Sequence, residues 1–333
     1  MNNFHDNNVM RLTPRDAHYF FGYFDKFPWD SKDERLLAHR VGFVARQPFF
    51  GEKAAIGVVE DGKFHPVAET LAWCWQQGSM LQWFSDDEII YNDLEEDHHV
   101  ARILNLNTGK SRTVCRPISC LSNDRRYALS INFSRLDRER PGYGYPGLID
   151  PTIEYGYPDF DGIHLIDLKE NTSKVIISLY DIVSRFPRPG MDQTANWFST
   201  PLFAPNGLHF VFVHRWRTYL PEFHGTRNYV TRMFSSDLSG KDLWELPMDG
   251  HASHFTWFSP KKMIVFSRTA GDGNQYHIYT NHSEQVETIA KGLLPNDGHC
   301  SFSPDAKWLL TDSYPEADRT RRLCLYHPES DTV

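Results

Sequence analysis

Histidine, arginine, tryptophan and amide side chains recur in this 333-residue sequence at two kinds of position, just before one apolar strand-like run and just after the next. The leading segments are Tyr23-Phe24-Asp25-Lys26, Trp75-Gln76-Gln77-Gly78, Asn196-Trp197-Phe198-Ser199, His251-Ala252-Ser253-His254 and Asp297-Gly298-His299-Cys300. The trailing ones are His39-Arg40, Asn92-Asp93, Asn132, His214-Arg215-Trp216-Arg217, Arg268 and Asp312. An arginine fork pairs a carboxylate or sulfate through two parallel hydrogen bonds, and an indole offers a flat face to a sugar ring. Arg40, Gln77, Asn132, Asn196, Trp197, Arg215 and Trp216 therefore form a candidate surface for a polar, anionic, ring-bearing ligand. The competing reading is that these residues bond to one another and seal a solvated channel. His214 is as well read as a hydrogen-bonded link between strands. Cys300 beside His299, taken with His254, is a weak zinc-like combination. His98, His99, His251 and His282 fall in turns and read as solvated.

One long insertion adds further chemistry. Arg135, Arg138 and Arg140 precede Tyr143 and Tyr145 in a stretch rich in glycine and proline that continues to Asp161. Long segments without their own regular structure are commonly functional, and this composition predicts an ordered loop folded over the same rim. Arg135 or Arg140 would pair a ligand carboxylate there. Tyr143 or Tyr145 would transfer a proton, a neighbouring guanidinium lowering the phenol's ordinary pKa of about 10.

The elements that position these residues come from a repeat. Six times an apolar residue is followed by a small polar turn and then a strand. The turns are Phe27-Pro28-Trp29-Asp30, Trp83-Phe84-Ser85-Asp86, Leu121-Ser122-Asn123-Asp124, Phe203-Ala204-Pro205-Asn206-Gly207, Trp257-Phe258-Ser259-Pro260 and Phe302-Ser303-Pro304-Asp305. Proline presets φ in such turns and the Asp or Asn side chain caps them. A further strand and turn complete each unit, clearest at Ile103–Gly109, Leu165–Asn171 and Phe234–Gly240. Two hairpins per unit make a four-stranded antiparallel meander, the blade of an all-β propeller. Six blades are visible, and closure with a seventh stays open. One alternative builds the last blade from residues 5 to 21 together with the C-terminal part. The turn joins each innermost strand to the next one out, so the start of the first and the end of the second share one rim. A short helix is expected over Leu179–Arg185.

Composition bounds the rest. A chain 40% hydrophobic and 14% aromatic buries a large core, and residues 1–333 are expected to form one propeller domain. A formal charge of −8 argues against nucleic acid as a partner, and no stretch is apolar enough for membrane insertion. Met1–Val9 lacks a signal-peptide core and the five cysteines lack a disulfide spacing, so a cytoplasmic location with reduced thiols is expected.

At the rim residues the sequence resembles a known group. Gly22–Asp30, Phe212–Trp216, Ser253-His254-Phe255 and Asp297–Asp305 are similar to segments of bacterial propellers related to oligogalacturonate lyases and ulvan lyases, and the turns are similar to those of TolB-like repeats. The resemblance implies a polysaccharide lyase that cleaves a uronic-acid-containing glycan by β-elimination. It implies a divalent metal (Mn, Zn or Ca) held by His254, His299 and His214, with Gln77 or Asn196 supplying an amide. The His-x-His cluster of oligogalacturonate lyases is reduced here to Asp297-Gly298-His299, and no histidine base stands near Asn196–Thr200. The resemblance to ulvan lyases then makes Tyr143 or Tyr145, polarised by Arg135 or Arg140, the base and acid, with His214 beside them. The expected partner is an acidic polysaccharide or oligosaccharide. The alternative is a non-catalytic propeller that binds a glycan or scaffolds a protein on the same face.

Overall fold

The turns act as the sequence predicts. In Phe302–Lys307, Ser303 Oγ donates to Asp305 Oδ1 (2.7 Å), Trp308 N donates to Ser303 Oγ (3.0 Å) and Lys307 N to Asp305 Oδ1 (3.2 Å). Ser122 and Asp124 repeat the pattern with Tyr127 N and Arg126 N. Each turn closes through a left-handed residue, Arg125 at φ 58° and Ala306 at φ 57°. Side chains thus supply the backbone partners that the tight reversal leaves out.

In the computed structural model, which describes residues 10–217, 229–315 and 317–333, these turns link strands into six antiparallel sheets. The first holds β1 (His18–Phe20), β2 (Leu36–Val41), β3 (Ala54–Glu60) and β4 (Lys63–Thr70). The second holds β5 (Gln82–Trp83), β6 (Glu88–Glu95), β7 (His98–Asn105) and β8 (Ser111–Val114). The third holds β9 (Cys120–Leu121), β10 (Tyr127–Ser130), β11 (Gly162–Asp167) and β12 (Thr172–Ser178). Helix α1 (Phe133–Glu139) interrupts this sheet's chain and α2 (Leu179–Arg185) follows it. The fourth holds β13 (Asn196–Phe203), β14 (His209–Arg217), β15 (Tyr229–Asp237) and β16 (Trp244–Glu245). The fifth holds β17 (Ala252–Trp257), β18 (Lys262–Thr269), β19 (Gly273–Thr280) and β20 (Val286–Ile289). The sixth holds β21 (Ser301–Phe302), β22 (Leu309–Asp312) and β23 (Leu323–Tyr326).

The fold is a β-propeller, five of its blades four-stranded and the last three-stranded among the described residues. The short helix expected at Leu179 forms, held by a capping box in which Ser178 and Asp181 bond each other's backbone. Because β1 pairs with β2, His18–Phe20 belong to the first sheet and not to the last. The part of that alternative resting on residues 5 to 9 lies outside the described residues. No helix among them is long and apolar enough to cross a membrane.

The chain divides into two compact units, one reaching to Pro117 and including Gly142–Leu148, the other made of Ile118–Pro141 and Ile149–Val333. In the second unit the apolar strands bury both faces. Along β18, Met263 and Val265 pack with Val211, Val213 and Met233 of the fourth sheet. Ile264 and Phe266 face the other way, onto Leu309 and Tyr326 of the sixth. An unbroken apolar run is what a strand covered on both sides requires.

Two buried histidines tie stability to pH. His39 is wholly enclosed, its Nε2 2.8 Å from Ser79 Oγ, and burial lowers its pKa from 6.5 to about 4. Burial, then the charges of Arg232 and Arg215, push His214 well below its ordinary value. For both groups the folded pKa lies below the unfolded one, so the unfolded chain binds the extra proton. Stability is therefore complete above about pH 6.5 and declines toward pH 4, by up to about 1.4 kcal/mol per pH unit for each histidine. Urea melts of the wild type and His39→Gln between pH 7 and 5 check this. A slope no shallower in the variant would count against it.

Candidate active site

The rim geometry holds in the second unit. Asn196, first in β13, lies opposite Trp216 near the end of β14. His299, just before β21, is joined to Asp312 at the end of β22, its backbone N donating to Oδ1 at 2.7 Å. The rings of His254 and His299, from the fifth and sixth sheets, meet with centroids 4.0 Å apart.

Each imidazole of this pair is held by its own carboxylate. His254 Nδ1 lies 2.9 Å from Asp297 Oδ1, and Ser253 Oγ donates to the other oxygen of Asp297 at 2.5 Å. His299 Nδ1 lies 3.0 Å from both oxygens of Asp312. Burial works to raise the Asp297 carboxyl, but the hydrogen bonds from His254 and Ser253 prevail and leave it below its ordinary value. Burial, then the neighbouring His254, lower His299 despite Asp312. A proton directed from Nδ1 to Asp312 leaves the basic lone pair on Nε2. His254 is buried, His299 and Asp312 are partly exposed, and Tyr314, half exposed, brings its ring 6.3 Å from His299. The sequence placed Asp297 and Asp312 at the rim without giving them a role. Ser253 stood beside His254 in those segments without a role, and Tyr314 carried no signal.

The remaining predicted residues lie elsewhere. His214 is enclosed, its Nε2 3.0 Å from Asn196 Oδ1 and its Nδ1 accepting from Arg232 Nε at 3.1 Å. Both ring nitrogens are thus committed, which takes His214 out of the expected metal set and away from proton transfer. Asn196 donates to Met191 O and Thr194 O, and Trp197 and Trp216 are buried, the latter stacked on His214. Arg215 is buried against Thr231 Oγ1 and Ser199 Oγ. In the first unit Gln77 is buried, and half-buried Arg40 covers the Phe64 ring at 5.3 Å. Apart from Arg40, these side chains are enclosed and not turned toward solvent, unlike the ligand surface expected of them.

The insertion also differs from its expected form. Its first part is helix α1, with Asn132 as N-cap accepting from Arg135 N and donating to Asp150 and Asp161. Arg135 points inward, its guanidinium donating to Asn196 O (2.8 Å), Thr152 O and Gly156 O beside Asp150 and Asp161. Arg140 is half-buried at the end of α1, its backbone N bonded to Leu136 O. Tyr145 belongs to the first unit, where it is wholly buried and accepts from Asn92 Nδ2 at 2.8 Å. Burial pushes its phenol well above the ordinary value, the opposite of what a base requires. Tyr143 packs edge-on to Tyr23. A rim loop offering Arg135 and Tyr145 to a ligand is therefore not formed.

The divalent metal implied by the resemblance does not fit. Among the described residues no three His, Cys, Asp or Glu side chains converge in ligating geometry. Cys300 is buried with its thiol raised far from ionisation, so it does not complete a set with His254 and His299.

No family model and no curated protein matches the chain. Solved structures do. The propeller domain of the Trilobed protease from Pyrococcus furiosus is 10% identical with a TM-score of 0.53, over 94% of this chain and 81% of that one. An oligogalacturonate lyase in complex with manganese is 15% identical with a TM-score of 0.45, over 96% and 93%. TolB from Acinetobacter baumannii is 15% identical with a TM-score of 0.45, covering 89% of this chain, which spans 61% of the TolB structure's length. At such identities the likeness is one of fold, that of a β-propeller.

If Arg135 is a structural cation, Arg135→Met leaves the buried carbonyls of Thr152, Tyr155, Gly156 and Asn196 without their donor and removes a cation from beside Asp150 and Asp161, costing about 3–5 kcal/mol. Tyr145→Phe loses one hydrogen bond, about 1 kcal/mol. Chemical denaturation gives both values, and an Arg135→Met protein as stable as wild type would refute the assignment.

Proposed function

We propose that the chain is a carbohydrate-active lyase acting on a uronate-containing glycan, with His254 and His299 as its proton-transfer pair. The supporting observation is the contact of two imidazoles, each oriented by a carboxylate, with the more open one lowered in pKa. β-Elimination needs a base for the C5 proton and an acid for the departing O4, two roles such a pair can fill. Nε2 of neutral His299 removes the proton at C5, the electron pair forms the C4–C5 double bond, and the C4–O4 bond breaks. His254, entering the step as the imidazolium backed by Asp297, gives its proton to the departing O4, and the proton taken up by His299 is passed on to restore both rings for the next turnover. Positioned acid and base groups of this kind contribute roughly 10²–10⁴-fold in rate. No step passes through a metal.

Activity is read as the rise in absorbance of the unsaturated uronate product on a panel of uronic-acid polymers. His299→Gln is expected to lower kcat by about 10²–10⁴-fold with the glycan still bound. Because the His299 pKa is lowered, kcat/KM should hold as pH falls through 6.5 and decline only below it. Turnover unaffected in His299→Gln would overturn the assignment. Glycan binding with no turnover on any polymer would favour the non-catalytic reading.

A further inference from the structure

One short segment of the second unit carries a member of each imidazole–carboxylate pair. Asp297 reaches His254 of β17 in the fifth sheet, and His299, two residues on, is bonded to Asp312 at the end of β22 in the sixth. Between them, Gly298 lies so close to β22 that a Cβ there would collide with Asp312 O and Thr311 Oγ1. Any shift of that backbone displaces Asp297 and His299 together, and with them both carboxylate contacts.

The anchor for this segment comes from β19. Tyr276, wholly buried, donates its hydroxyl to Gly298 O at 3.2 Å and holds Thr311 Oγ1 at 2.9 Å. One phenol thus joins the segment to the strand it packs against. The ring is fixed edge-on to Phe266 and lies in the same apolar cluster as Cys300 and Leu309. Burial raises the phenol far above its ordinary value, so its proton stays in place to be donated. We propose that Tyr276 is the positioning residue of the histidine pair, holding Asp297–His299 against β22 through Gly298 and so setting both imidazole–carboxylate contacts at once. Its part in catalysis rests on the reading of His254 and His299 as the proton-transfer pair. Placement matters there, because a displacement of about 1 Å can cost roughly 10²-fold in rate.

Tyr276→Phe keeps the ring and removes the anchor. In the 333-residue chain it should lower kcat on uronic-acid polymers by about tenfold or more, with KM unchanged. The Nδ1 resonances of both His254 and His299, assigned from the spectra of His254→Gln and His299→Gln, should shift. Tyr279→Phe is the control. That hydroxyl lies 2.8 Å from Ser267 Oγ and is as deeply buried in the fifth sheet, but its ring faces the cluster shared with the fourth. The control loses a comparable hydrogen bond and should leave kcat and both resonances at their wild-type values. Resonances unmoved in Tyr276→Phe, or moved for one ring alone, overturn the proposal, as does a kcat equal to that of wild type. If the wild type turns over no polymer and both rings still move in Tyr276→Phe, the positioning role stands and the lyase reading falls. Should Tyr276→Phe fail to fold, Thr311→Val decides. It removes the phenol's second partner at similar side-chain shape, and resonances that stay put there overturn the proposal.

Discussion

Each interior sheet of this chain must find a partner for both of its faces. β18 shows the constraint in one strand, with Met263 and Val265 committed to one neighbour and Ile264 and Phe266 to the other. At about 25 cal/mol per Å² of apolar surface, covering both faces makes such strands the main source of stability. It also fixes register, because a slip by one residue would exchange the two sets of contacts. The phase of the strands in turn sets which residues reach the rim, so the meeting of His254 and His299 depends on apolar packing well below them.

Above that packing lies a polar layer whose buried charges are met from within. Arg135 spends its donors on the carbonyls of Thr152, Gly156 and Asn196, with Asp150 and Asp161 close by. Asn196 continues the chain of contacts to His214, and His214 to Arg232. Buried charges persist only when neighbours replace the water they have lost. The pair formed by His254 and His299 is different. It is oriented by carboxylates, yet opens toward solvent on the His299 side, which is the condition under which an imidazole can exchange protons with a ligand.

Much of the fold was legible because it is written locally. Ser303-Pro304-Asp305 and Ser122-Asn123-Asp124 are turn chemistry that does not depend on the rest of the chain, and the apolar runs after them state their own strand character. The rim positions of His254 and His299 followed from hairpin geometry alone. What sequence could not supply was the direction in which rim side chains point. Trp197, Arg215 and Trp216 have residue types suited to sugars but are buried, and nothing local distinguishes a tryptophan that seals from one that binds. Tyr145 was missed for another reason. Its partner Asn92 lies in β6, 53 residues earlier, a contact that no local pattern announces.

That last contact bears on how the chain is made. The first unit is discontinuous: its sheets lie before Pro117, but Gly142–Leu148 is part of it, with Phe50 filling the space beside Gly147 and Gln47 the space beside Gly142. A nascent chain emerging from the ribosome presents β1 to β8 first and must then wait while β9, β10 and α1 appear before the piece that carries Tyr145 arrives. During that interval Asn92 lacks the Tyr145 hydroxyl it bonds in the finished unit. Vectorial folding of the amino-terminal half is thereby made conditional on synthesis of a segment beyond it, which couples the maturation of one unit to the growth of the next.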